Sequence, residues 1–179
     1  MIYHLSLRTA GIISGIFLLL LSAPALLLVE KTRVWFRTVP RSRVIGFVLL
    51  TIALAWSFWL LATMEMGEFS SFRRPLLIAL PIGYFLVLRF VDEFLAVRAL
   101  GILFLLAAEP LLDAAFLRYE TSRLLVTVFA YILIVKGICW VTMPYLMRDL
   151  IGWSTRTAAR WISLNALTLA YGALILVCA

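Results

Sequence analysis

Apolar side chains in this chain come in long runs separated by short polar segments, and the runs predict the architecture. Six of them, residues 9–29, 44–64, 75–91, 99–117, 124–146 and 161–179, approach the roughly 20 residues that carry an α-helix across a hydrocarbon core. The expected fold class is therefore all-α: a polytopic integral membrane protein, a bundle of about six transmembrane helices with short loops, forming a single domain over 1–179. The third run is the shortest, and Arg89, Asp92, Glu93 and Arg98 crowd its far end. A re-entrant third segment would leave five spans and reverse the C-terminus.

Between the first two runs the pattern changes. Residues 30–43 interleave Val34, Trp35, Phe36 and Val39 with Lys31, Arg33, Arg37 and Arg41, as a strip lying in a membrane interface does. Pro40 limits a helix there to about two turns. The segment reads as a basic loop with aromatic anchors or as a docking surface. Trp153 and Trp161 near one face, with Trp56 and Trp59 near the other, fit aromatic belts.

Composition supports this reading, because 65% hydrophobic and 14% charged residues in a 179-residue chain leave too little polar surface to cover a soluble globule. Mean hydropathy is +1.09. The net charge of +7 does not point to nucleic acid, since the arginines flank apolar runs instead of forming a patch among polar neighbours. It points to topology. Ten Lys and Arg (Lys31, Arg33, Arg37, Arg41, Arg43, Arg89, Arg98, Arg148, Arg156, Arg160) fall on one side of the six-span arrangement, against five on the other (Arg8, Arg73, Arg74, Arg118, Arg123). The positive-inside bias then places both termini outside the cytoplasm of a multi-pass protein in the cell membrane, with a bacterial inner membrane as the expected setting. Arg8 and the small residues around Ala23 and Ala25 imitate a secretory signal, but apolar residues continue to Val29, so a retained span is expected.

Charges inside the runs are the costly feature. Glu109, Pro110 and Asp113 interrupt the fourth run, and Lys136 lies within the fifth. A charged residue at mid-membrane costs about 2.5–3.5 kcal/mol on insertion scales, so pairing is the expected remedy. Glu109 and Asp113, four residues apart, share one helix face, and their mutual repulsion asks for a cation. Lys136, on the other arm of the same hairpin, is the candidate. Pro110 frees the carbonyl of Leu106, a further acceptor for an ammonium. The cluster reads first as a buried ion pair fixing the hairpin or docking a subunit, and second as a proton or ion path. Arg89, Asp92, Glu93 and Arg98 form a second, interfacial charge cluster, read as a salt-bridged turn or partner contact.

Gly11 and Gly15 make a GxxxG, which lets a second backbone approach, whether from this chain or a neighbouring one. Ala166 and Ala170, with Asn165 and Gly172 nearby, make a second small-residue face. Arg43-Val-Ile-Gly46 and Arg98-Ala-Leu-Gly101 echo one another at the starts of two runs, as a transporter repeat would and as any inward-anchored span also would. A single histidine, His4, offers no pair of axial ligands, and no metal-ligand spacing, phosphate loop or nucleophile elbow is visible. Cys139 and Cys178 are expected roughly 22 Å apart, beyond disulfide reach.

The expectation is thus a non-catalytic membrane protein with no metal and no cofactor, an accessory or assembly subunit of a larger complex. Its partners would be membrane lipids and other subunits or its own copies, not nucleic acid. A small transporter or ion-conducting component working through Glu109, Asp113 and Lys136 is the alternative, and an enzyme acting on lipid a third. An accessory protein should leave the acids paired or facing a subunit. A transporter should show a polar cavity reaching them; an enzyme should expose them in a lipid-accessible cleft.

Overall fold

The computed structural model describes Tyr3, residues 5–90 and residues 94–179, and the described residues contain helices and turns but no strand. Six helices are long and apolar enough to cross a membrane: α1 (Leu7–Leu27), α3 (Arg43–Thr63), α4 (Arg73–Phe90, preceded by a 3-10 turn Gly67–Phe72), α5 (Leu95–Ala115), α6 (Ser122–Thr142) and α8 (Ala158–Cys178). Two ten-residue helices, α2 (Val29–Thr38) and α7 (Tyr145–Ser154), lie at the end of the bundle that carries the ten cations, hereafter the basic end. The third run is a helix long enough to span.

Helix pairing departs from chain order. α5 and α6 form an antiparallel hairpin, α1 pairs antiparallel with α8, α3 runs parallel beside α5, and α4 leans chiefly on α3, with Tyr84, Val87 and Leu88 packed against the cluster of Leu50, Leu95 and Ala99. Glycines set three of these crossings. A Cβ on Gly101 would meet the Gly137 carbonyl oxygen at 2.9 Å, one on Gly15 the Gly172 carbonyl at 3.0 Å, and one on Gly46 the Ala96 backbone nitrogen at 2.8 Å. The backbones touch because the side chains are missing. Gly11 and Gly15 therefore pack inside the chain, against α8, while Ala166 and Ala170 face outward. The echoed glycines Gly46 and Gly101 do unequal work, the first against α5 and the second against α6.

The core follows from this pairing. Leu7, Ala10 and Leu18 of α1 meet Ala108, Leu111 and Ala114 of α5, Val126, Phe129 and Leu133 of α6, and Ile175 of α8. Burial of such side chains does not itself draw helices together in lipid, so van der Waals packing and polar ties hold the bundle. Those ties are few. Tyr171 Oη donates to the Leu125 carbonyl (2.8 Å), Trp161 Nε1 to the Ala25 carbonyl (2.9 Å), and Trp56 Nε1 to Tyr3 Oη (2.7 Å). By contrast α4 has no buried residue, and one hydroxyl pair, Thr51 with Tyr84 at 2.9 Å, ties it to α3.

Two boundaries correct the sequence reading. The fifth span ends at Thr142, not Leu146, because Met143 leaves helical geometry and Pro144 opens α7 instead. The basic segment 30–43 begins with a nearly three-turn helix, α2, set off from α1 by a break at Leu28 (φ −121°, ψ 53°) and stopped by Pro40 in the 3-10 turn Val39–Arg41.

Candidate functional site

Glu109 and Asp113 lie on one face of α5, six and two residues from its last residue, or about 9 and 3 Å from the end opposite the basic one. They line a cleft of about 1040 Å3. Its floor is α5 (Leu105, Ala108, Glu109, Leu112, Asp113) with Phe116 just past it, one wall is the end of α3 (Trp59, Thr63) with the Met64 and Glu65 that follow, and Ile134 of α6 stands opposite. Parallel packing of α3 on α5 is what brings Glu65 over the two acids. The cleft is bounded by three helices only, and Glu109 is exposed within it.

Lys136 does not join them. Gly137 faces Gly101, which puts Lys136 level with the turn around Ile102, seven residues or about 10 Å short of Glu109 along the hairpin. Its side chain also leaves α6 on another face, exposed, two residues round from the cleft-lining Ile134. Among the described residues no ion pair or hydrogen bond engages the Glu109 or Asp113 carboxylates or the Lys136 ammonium. The expected three-membered cluster is corrected to an acidic pair with a third acid at its mouth, and a separate lysine. Lys136 lies six residues, about 9 Å, from the basic end of α6, so its stem can carry the ammonium toward that interface.

Pro110 is buried and turns away from the cleft, lining instead an apolar crevice of about 320 Å3 with Phe17, Trp56, Phe104 and Leu133. Ser14 in that crevice satisfies itself on the Ala10 carbonyl at 2.7 Å. α5 therefore separates an acid-bearing cleft from an apolar one.

The second predicted cluster is only partly described, since Asp92 and Glu93 lie outside the described residues. Arg89 is exposed on the last turn of α4, and Arg98 is half-buried on the first turn of α5 with its Nε lacking a partner. No interfacial salt bridge between these two arginines and an acid is found among the described residues.

The basic end holds an arrangement that sequence reasoning missed. Thr155 caps α7 and is fully buried (0% exposed). Its carbonyl accepts from Arg33 Nη2 at 2.7 Å and Arg37 Nη2 at 2.8 Å, its hydroxyl accepts from Arg37 Nε at 2.8 Å, and that hydroxyl donates to the Ile151 carbonyl at 2.7 Å. Two guanidinium groups thus complete the carbonyl end of α7, where a helix carries partial negative charge. Phe36, between them in sequence, turns inward to meet Trp161 edge-on (centroids 5.3 Å) and packs on Val97, Trp140, Met147 and Ile151. The signal for it was present: arginines at 33 and 37 share a helix face one turn apart. Nothing in the chain before the fold was known pointed to Thr155 as their acceptor.

Both cysteines are free, Cys139 half-buried and Cys178 exposed, and the described residues hold no group of three or more His, Cys, Asp or Glu arranged to bind a metal. Comparison of the chain with protein-family models, with curated proteins and with solved structures gave no match.

Proposed function

We propose that this chain is a non-catalytic accessory subunit of a membrane complex, and that the cleft on α5 receives a basic side chain from a partner's transmembrane helix. One observation carries the reading: Glu109 and Asp113 sit one turn apart in an open cleft, and among the described residues no ion pair engages either of them. Glu109, about 9 Å inside the end of α5, is the costlier of the two to leave charged and alone in a bilayer, and a partner's Lys or Arg supplies the missing charge. The bare flank of α4, without a buried residue, supports the same reading.

The test is purification in mild detergent followed by mass spectrometry of what co-elutes. The expected result is a stoichiometric membrane partner with a basic residue in a span, retained by the wild type and lost from Glu109→Gln/Asp113→Asn. A wild-type protein that elutes alone, as a monomer or homo-oligomer, would sink the proposal.

A second reading, an ion- or proton-conducting component, draws on the way the cleft reaches both acids from the end of the bundle. The cleft ends at Leu105 and Ile134, above the Gly101–Gly137 crossing. Conduction therefore needs a second conformation in which that crossing parts. Flux across vesicles containing the wild type, set against Glu109→Gln, tests it.

A further inference from the structure

We infer that the basic end of the bundle is a binding surface for anionic phospholipid, built by α2 and α7 and the cations beside them. α7 divides into three flanks. Met147, Ile151 and Ser154 are buried against the bundle, while Leu146, Leu150 and Trp153 form an exposed apolar flank and Arg148 and Asp149 a polar one. A helix end-on to water has no use for the second flank; a helix lying in an interface does. α2 repeats the arrangement, with Phe36 turned inward and Val34 and Trp35 exposed beside Lys31.

The charges select the lipid. Arg33 and Arg37 are committed to Thr155, and Arg33 also pairs with Glu30 at 2.9 Å, as Arg148 does with Asp149. Lys31, Arg41, Arg156 and Arg160 are exposed and have no acidic partner among the described residues. Arg160 is held over the Trp153 ring, 5.2 Å from its centroid, so a guanidinium rests on the exposed aromatic that marks the apolar flank. Cations placed at the rim of an apolar surface complement a lipid whose phosphate lies above its acyl chains. The hydrogen bonds on Thr155 tie the two helices into one surface. This inference is independent of the acidic cleft.

The experiment uses the purified full chain in mixed micelles of phosphatidylcholine and phosphatidylglycerol, with retained lipid read by native mass spectrometry. Wild type should retain phosphatidylglycerol preferentially. Lys31→Gln/Arg156→Gln/Arg160→Gln should lose that preference, by about fivefold for each cation removed. Arg8→Gln/Arg74→Gln/Arg118→Gln removes the same charge from exposed positions at the other end and should keep it. Arg156→Lys/Arg160→Lys should keep it too. If the first triple variant does not fold, Arg156→Gln alone supplies the comparison at one step. Equal loss in both triple variants would reduce the effect to net charge and overturn the inference, as would a wild type without preference. A stoichiometric protein bound here in place of lipid, and lost in the same variant, would overturn it as well.

Discussion

At the basic end, Arg33 and Arg37 converge on one buried carbonyl and leave Thr155 fully satisfied. At the other end Glu109 and Asp113 line an open cleft, and no cation among the described residues forms an ion pair with them. The difference separates a charge used to build the protein from a charge kept available. A satisfied pair can be removed only at a cost to folding, whereas an unsatisfied one can be neutralised without loss and matters only when something else is bound.

That contrast is open to direct attack. The largest effect is expected from Arg33→Ala/Arg37→Ala, which leaves a buried carbonyl and hydroxyl with two charged donors gone and should cost about 3 kcal/mol of stability, read as detergent-resistant unfolding. Loss of less than a tenth of that would mean that the clamp is ornamental. Gly137→Ala follows, since its Cβ would lie 2.8 Å from Leu105 and 2.9 Å from the Gly101 carbonyl. A cost of about 2 kcal/mol is expected in the same assay. Glu109→Gln/Asp113→Asn in the isolated protein should change stability by less than about 0.5 kcal/mol, or raise it. A clear destabilisation would show that the acids do have an internal partner. The smallest effect is a coupling: Lys136→Met and Glu109→Gln should be additive within about 0.5 kcal/mol in a double-mutant cycle, because about 10 Å of the hairpin separates them. Strong coupling would restore the three-membered cluster.

Much of the fold was legible in the apolar runs. Six stretches of the right length gave six long helices because hydrophobic length alone fixes a span. The short helix α7 escaped notice since the preceding run reads through Pro144 to Leu146, although Met147, Ile151 and Ser154 already carry helical spacing. The pairing of acids on α5 could be read from a four-residue interval. The position of Lys136 could not: its level depends on which residue of α5 faces Gly137, a contact between helices that no interval along one strand of sequence records. Glu65 was invisible for a like reason, since it reaches the cleft only through the parallel packing of α3 on α5. Small residues were partly informative. Gly11 and Gly15 did mark a crossing, but Ala166 and Ala170, equally small, face outward because α8 turns Gly172 and Ile175 toward α1.

The pairing of α1 with α8 bears on how the protein is made. Gly15 and Gly172, whose backbones meet, are 157 residues apart, so α1, made before every other described helix, has as its main partner α8, made after them all. Until α8 is made, the glycine face of α1 stays bare, and the hairpin of α5 and α6 can assemble before it is covered. Closure of the six described spans therefore waits for α8. A chain interrupted before α8 would carry five inserted helices and an open seam, a form that membrane quality control can distinguish from the finished protein.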